Sequence, residues 1–216
     1  MKKNDVNPNL GARERLLEAA IDIFGRHGYE AATTRMITAE AGANIAAIPY
    51  YFGGKEGLYR AVISHVVEIF NQKIGGVLED LQTVSSNGDI DPDLALAKLE
   101  QLIEGLLQLV VGSTIGERFA RIIMREQTYP SSAYEQIYSG VMEPVLNTTA
   151  MLVMAASGES SEHRAKLRSM TIIGQVLTFR FARETIVRSL KLQGYNSEEV
   201  HQIREIISEN IRAILD

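Results

Sequence analysis

Twenty-three residues, from Thr33 to Lys55, constrain this chain more than any other stretch. Thr33 or Thr34 is placed to cap a first short helix, because a threonine hydroxyl accepts from an amide that the first turn leaves unpaired. Met36, Ile37, Ala39 and Ala41 then cover the inner side of about two turns. Gly42 falls where the chain must leave the helix, and glycine enters the left-handed region without a Cβ penalty. Asn44 is placed to cap a second helix starting at Ile45. Two helices joined by a short glycine-containing turn form a helix-turn-helix, whose second helix lies in the major groove of DNA. Pro49 would be the fifth residue of that helix, removing an amide donor and crowding the Ile45 carbonyl at about 3 kcal/mol. A short, tight or kinked second helix is predicted.

The 216 residues suffice for one large or two small domains. At 45% hydrophobic and 23% charged, the composition is that of an ordinary globular protein. Apolar runs such as Ile69-Phe70-Asn71 and Leu109-Val110-Val111-Gly112 break far short of the roughly 20 residues that cross a bilayer. No secretory leader is expected, since Met1–Asp5 is charged with no apolar segment after it. The absence of cysteine excludes disulfides and thiolate metal sites. A cytoplasmic protein without membrane contact is expected. The net charge of −5 is uneven: residues 1–75 hold nine basic and eight acidic side chains, the remainder thirteen and nineteen. A locally basic DNA face on the first part is compatible with that total.

Taken in order, Met1–Leu10 is polar and reads as a loose arm. A first helix is predicted over Ala12–Arg26, with Leu16, Ala20, Ile23 and Phe24 at helical spacing and Gly28 just past its end. A fourth begins near Lys55 and carries Leu58, Val62, Val66, Ile69 and Phe70. Past Gly75-Gly76 the helices lengthen and fill with Leu, Val, Ile and Met. After the loop Ser85–Asp89, Asp91-Pro92 supplies a cap and a proline at the first helical position of a helix running to about Val111. Helices follow over Ile115–Thr128, stopped by Tyr129-Pro130, then Ser132–Ala156, Glu162–Leu192 and Ser197–Leu215. No stretch reads as strand. The expectation is an all-α protein of about nine helices, with a helix-turn-helix domain over residues 1–60 and a helical bundle over 61–216.

Helical phase sorts the apolar residues of the bundle. Ser197–Leu215 carries one stripe: Val200, Ile203, Ile207, Ile211 and Ile214. Glu162–Leu192 carries two, Met170, Gly174, Leu177 and Phe181 on one side and Ile172, Val176, Phe179, Ile186 and Leu190 nearly opposite. A helix apolar on two faces is covered from two directions. One cover is its own core; the other is a second subunit or further packing in a monomer. On Ile115–Thr128, Glu126 projects among Ile115, Phe119, Ile122 and Ile123, and on the long helix Arg183 sits among apolar neighbours. Each needs a partner, so the two either pair structurally or line a ligand site. Arg118, Arg121 and Arg125 form a solvated face or an anion-attracting rim.

No catalytic constellation emerges. Gly53-Gly54-Lys55 lacks the spacing of a nucleotide phosphate loop, although a lysine at a helix N-terminus still attracts phosphate. His27, His65, His163 and His201 lack ligand spacing. Ser139-Gly140 and Ser157-Gly158 lack the context of a nucleophile elbow. Neither enzyme activity nor a cofactor or metal is expected.

The string Phe24-Gly25-Arg26-His27-Gly28-Tyr29, Thr33-Thr34, Ala41-Gly42, Tyr51-Phe52 and Lys55-Glu56-Gly57-Leu58-Tyr59, read ungapped from Arg13 to Ala61, resembles the N-terminal domain of TetR-family transcriptional repressors. The family usually has Gly where this chain has Ala46, and Tyr where it has Pro49. The phosphate contact of that tyrosine therefore passes to Tyr50 or Tyr51. The resemblance implies DNA contacts from Thr33, Thr34, Arg35, Asn44, Ile45, Ala46, Ala47, Pro49, Tyr50, Tyr51 and Lys55. Ile45, Ala46, Ala47 and Ile48 offer no side-chain donor or acceptor, which leaves Arg35 as the best polar candidate for a base edge. Met124-Arg125-Glu126-Gln127 with Pro130, and Gly174-Gln175-Val176-Leu177-Thr178-Phe179-Arg180-Phe181-Ala182-Arg183, resemble the CecR-type C-terminal domain over most of residues 90–212. That implies a homodimer pairing through its last two helices, with Met170, Leu177, Phe181, Ile203, Ile207 and Ile211 in the interface. It also implies a small-molecule effector site, for which Phe119, Ile122, Ile123, Glu126, Gln175, Phe179 and Arg183 are candidates. The function implied is a repressor of transport or efflux genes that binds a palindromic double-stranded operator. The alternative is a helical ligand-binding or signalling module without DNA binding, with Pro49 as the suspicious residue.

Overall fold

Helix termini in this chain fall where the sequence offers partners to the unpaired backbone groups of a helix end. The computed structural model describes residues 11–78 and 90–215. The expected arm Met1–Leu10 and loop Ser85–Asp89 lie outside them. Helix α1 spans Ala12–Ala31, and the Gly11 amide donates to Glu14 Oε2 at 2.9 Å. It continues past the expected end at Arg26 through a break at Gly28. Helix α2, Thr34–Ala41, is capped by the Thr33 hydroxyl, which accepts from the Met36 amide at 3.2 Å. Helix α3 is Ala47–Phe52, and α4, Lys55–Phe70, runs into a π turn at Asn71–Gly75. Helix α5, Pro92–Val110, opens as expected, with Asp91 accepting from the Leu94 amide at 3.0 Å. Helix α6 is Thr114–Thr128.

Two long helices read from the sequence are interrupted. Ser132–Ala156 resolves into α7 (Tyr134–Ile137), a π turn (Tyr138–Met142) and α8 (Glu143–Ser157). Glu162–Leu192 becomes α9 (Glu162–Phe181) and α10 (Arg183–Ser189), separated at Ala182. There the Tyr195 hydroxyl donates to the Phe179 carbonyl at 2.9 Å. An unbroken helix would have given that oxygen to the Arg183 amide. Helix α11, Ser197–Leu215, completes an all-α chain with no strand among the described residues.

Contacts divide the chain into two compact units, Met1–Glu68 with Arg118–Ile137, and Ile69–Glu117 with Tyr138–Asp216. In the first unit, Leu16, Ala20 and Phe24 of α1, Ile37 and Ala41 of α2, Ile48 of α3, Leu58 and Val62 of α4, and Phe119 and Ile122 of α6 are buried. Each set lies at helical spacing on one face, and burying such a side chain contributes about 1.5–3 kcal/mol.

In the second unit α8 and α9 pack against α5, and α11 lies against α5, α8 and α9. The core holds Leu99, Leu102 and Leu107 of α5, Leu152 and Val153 of α8, and Ile172 and Val176 of α9. Ile203, Ile207 and Ile211 of α11 join it, at 7, 2 and 1% exposure. This corrects their placing in an interface between subunits. A single apolar stripe needs one cover, and here the protomer's own helices supply it. The outward side of α11 carries Ile206 instead, and Asn210 donates to Gln175 of α9 at 2.9 Å. On α9 the two faces separate as the helical phase requires: Met170 and Phe181 are exposed, while Leu177 is half-buried.

Candidate nucleic-acid interface

The turn after α2 determines what α3 presents. Gly42 takes φ 57° and ψ 40°, a left-handed conformation that ordinary side chains resist. The Ala43 amide reaches back to the Thr38 carbonyl at 2.9 Å, and Arg15 Nε of α1 donates to the Ala41 carbonyl at 3.3 Å. Asn44 then behaves differently from the expected cap. Its Oδ1 accepts from the Ala46 amide at 2.9 Å and its carbonyl from the Ala47 amide at 2.9 Å. This is a local side-chain turn, and it delays the helix from Ile45 to Ala47. Pro49 consequently sits in the first turn, where its missing amide donor would be unpaired in any case. The expected 3 kcal/mol cost in a helix interior does not arise, and α3 is short, six residues, without an internal break.

Ile48 is fully buried and pins α3 to the core, which turns its neighbours outward. Ile45 is 55%, Tyr50 81% and Tyr51 42% exposed, unusual values for large apolar or aromatic side chains. Asn44, Ala46 and Pro49 are exposed as well, and Ala47 is half-buried. From α2, Thr33 and Arg35 stand exposed and Thr34 half-buried. At the far end of α3, Gly57 of α4 comes so close that an added Cβ would lie 1.8 Å from the Phe52 carbonyl oxygen. Only glycine permits that approach, which joins α3 to the first turn of α4.

Lys55 opens α4. Its ammonium donates to the Glu30 carbonyl at 3.2 Å and lies 4.6 Å from the centre of the Tyr29 ring. Two nearby acidic groups are ion-paired, Glu56 with Arg60 at 2.6 Å and Glu40 with Arg26 at 3.0 Å. The outward surface thus combines hydroxyls, Arg35, an ammonium and the exposed Tyr50 and Tyr51, whose rings meet edge-on at 4.8 Å, a set suited to phosphates and base edges.

Helix α6 contributes to this unit in a way the sequence reading missed. Arg118 donates to Asp22 Oδ1 and Glu18 Oε2, each at 2.7 Å, and to the Glu18 carbonyl at 2.9 Å. Burial works against its charge, but the hydrogen bonds to Asp22 and Glu18 hold its pKa above the ordinary value. Arg125 donates to the carbonyls of Gly25 and Arg26, at 3.0 and 2.5 Å. Both fasten α6 to α1, Arg118 part-buried and Arg125 from an exposed position. Glu18 and Asp22, one turn apart on α1, were the available signal for Arg118.

Glu126, 2% exposed, is likewise not paired with Arg183. Its Oε1 accepts from the Tyr59 hydroxyl at 2.5 Å, and its Oε2 from the Ser131 amide and hydroxyl at 3.0 Å. Arg183 lies against Glu184 at 3.4 Å and over the Tyr195 ring at 5.8 Å. Helical phase shows that each charge needs a partner but leaves the partner unnamed. The remaining effector candidates divide in the same way. Phe119, Ile122 and Ile123 belong to the first unit with Glu126; Gln175, Phe179 and Arg183 belong to the second. Among the described residues, no group of three or more His, Asp and Glu is arranged to hold a metal ion.

Residues 16–62 match the family model described as bacterial regulatory proteins of the tetR family. Residues 95–216 match the C-terminal domain of the HTH-type transcriptional dual regulator CecR. The CecR protein of Shigella flexneri is 31% identical over 209 residues, 94% of this chain and 91% of its own. The chain belongs to the TetR family. Its C-terminal part is of the CecR type. Solved structures share the fold: a putative fatty acid metabolism regulator of Clostridium perfringens has a TM-score of 0.65 at 20% identity, covering 91% of this chain and 96% of its own. AibR, solved with isovaleryl coenzyme A and operator DNA, has a TM-score of 0.67 at 16% identity, covering 93% and 97%. These relatives are transcriptional regulators, not enzymes. No helix among the described residues is long and apolar enough to cross a membrane.

Proposed function

We propose that this TetR-family regulator is a cytoplasmic homodimer that represses transport or efflux genes by binding a near-palindromic operator, and that a small molecule held in the second unit releases it. The observation that carries this reading is the turn at Asn44. By shifting α3 to Ala47–Phe52 it leaves Pro49 harmless and points Ile45, Ala46, Pro49, Tyr50 and Tyr51 away from the core. That removes the one reason for favouring a module without DNA binding. Thr33, Thr34, Asn44, Ala47, Tyr50, Tyr51 and Lys55 hold backbone phosphates or fit the groove wall, Ile45 and Ala46 meet thymine methyls, and Arg35 reaches a base edge. The exposed guanidinium of Arg35 supports that assignment.

Dimerisation is supported by the outward faces of α9 and α11, where Leu167, Met170, Phe181 and Ile206 are 44–53% exposed. AibR, with its acyl coenzyme A and operator DNA, offers a precedent for effector and operator binding on this fold. To release DNA, the effector must favour the DNA-incompetent state, since equal affinity for both states shifts nothing. Selection of bound fragments from a random duplex library tests the reading. Wild type is expected to yield a two-fold related motif. Arg35→Ala is expected to lose preference at one position per half-site, by about 1–3 kcal/mol. The same motif from both proteins would remove Arg35 from base readout.

A further inference from the structure

Glu126 is a buried acid on α6 to which the reading above gives no task. A buried carboxylate is costly unless its oxygens are satisfied, and three donors satisfy this one. One of them, the Tyr59 hydroxyl, leads toward the DNA-facing surface. The Tyr59 ring meets Phe24 edge-on at 4.8 Å and lies 5.0 Å from the Tyr29 ring. Over Tyr29 sits the Lys55 ammonium, 4.6 Å from the ring centre. The second tether of Lys55, the Glu30 carbonyl, belongs to the same terminal stretch of α1 whose Gly25 and Arg26 carbonyls are held by Arg125, one residue before Glu126. Every link lies within the first unit.

We infer that Glu126 is a positioning residue for DNA binding, orienting Tyr59 and, through the Tyr29 ring, the ammonium with which Lys55 holds a phosphate. The inference rests on the reading of Lys55 as a phosphate contact. Tyr29 offers Lys55 a π face, which attracts a cation only while the ring faces it. Tyr59 fixes the tilt of that ring, and the hydrogen bond to Glu126 fixes Tyr59. Burial, and then the bond to Glu126, raise the Tyr59 pKa far above its ordinary value, so the phenol remains the donor at any working pH. A charge held at one phosphate releases its counterion on binding, and that release is readable as salt dependence.

The test is a double-mutant cycle on duplex DNA bound by the wild type, with affinity measured across a salt series. Lys55→Ala should weaken binding and flatten the salt slope by about one unit per subunit. Glu126→Gln should flatten the slope similarly, although it removes no basic residue. In the Lys55→Ala background Glu126→Gln should do little, a coupling of roughly fivefold, within the range for residues of one network. Tyr59→Phe, which keeps the aromatic cluster and removes only the hydroxyl, should couple to Lys55 in the same direction and guards against a folding defect in Glu126→Gln. Strictly additive losses, or an unchanged salt slope in Glu126→Gln and Tyr59→Phe, would overturn the inference and leave Lys55 as a phosphate contact. If Lys55→Ala itself binds as wild type does, both assignments fall.

Discussion

Replacing Ile206 with Glu, and separately Ile207 with Ala, places two changes at adjacent positions of α11, one facing outward and one inward. Ile207 is 2% exposed inside its own unit, and Ile206 is 53% exposed. Truncating a buried Ile typically costs about 2–5 kcal/mol, the transfer loss plus the cavity left behind. Ile207→Ala should therefore lower Tm by about 2–4 °C for each kcal/mol lost in a chain of this size. Ile206→Glu should cost the protomer less than about 0.5 kcal/mol, as surface changes do. In a two-fold dimer the same change counts twice. Withdrawing about 1.5–3 kcal/mol of burial per subunit removes about 3–6 kcal/mol from the interface. At 1.4 kcal/mol per factor of ten, the dimer dissociation constant should rise by about 10²–10⁴. Sedimentation over a concentration series measures the dissociation constant, and thermal unfolding the change in Tm. A monomeric Ile206→Glu variant that melts near wild type, beside a less stable but dimeric Ile207→Ala, is expected. Wild-type dimerisation by Ile206→Glu would place the interface on another face.

Two further substitutions probe the first unit. Gly57→Ala gains about 1 kcal/mol of helix propensity, but its Cβ would stand 1.8 Å from the Phe52 carbonyl oxygen. The clash should displace α3 and lower operator affinity at least tenfold, so binding within twofold of wild type would contradict the packing described. Arg118→Met keeps the aliphatic stem and removes the 2.7 Å contacts to Asp22, whose side chain is 12% exposed, and to Glu18. Breaking a buried pair costs about 3–5 kcal/mol, which the partial exposure of Arg118 and Glu18 reduces to about 2 kcal/mol here. A loss of about 4–8 °C in Tm is expected, and an unchanged melt would show that the fork contributes nothing.

Features set by a few neighbouring residues were legible in the sequence. Thr33, Gly42, Asp91-Pro92 and the Ser157–Ser161 loop mark helix ends through local hydrogen bonds and backbone preference, and the structure places them there. The start of α3 was misplaced because Asn44 has two local options, cap or side-chain turn, and the turn prevails. The break at Ala182 was invisible because its partner, Tyr195, lies thirteen residues on with no local signature. Periodicity gave α11 one apolar face, which its own unit covers, and α9 two, of which the face of Ile172 and Val176 is buried in the protomer and that of Met170 and Phe181 is exposed. It does not say what covers a face. The choice between core and second subunit rests on contacts that no local pattern encodes. For the same reason Glu126 advertised a need for a partner without naming Tyr59 or Ser131, and Arg118, read as solvated face or anion rim, gave no sign of Glu18 and Asp22.

Hydroxyl-radical footprinting on a selected operator tests the central claim most directly, because it reports where along the duplex a two-fold pair of helix-turn-helix units sits. The account predicts two protected segments related by two-fold symmetry, centred about one helical turn apart, fading as salt rises and lost in the Ile206→Glu variant. Uniform protection that follows no sequence, or one protected segment that survives Ile206→Glu unchanged, would contradict it.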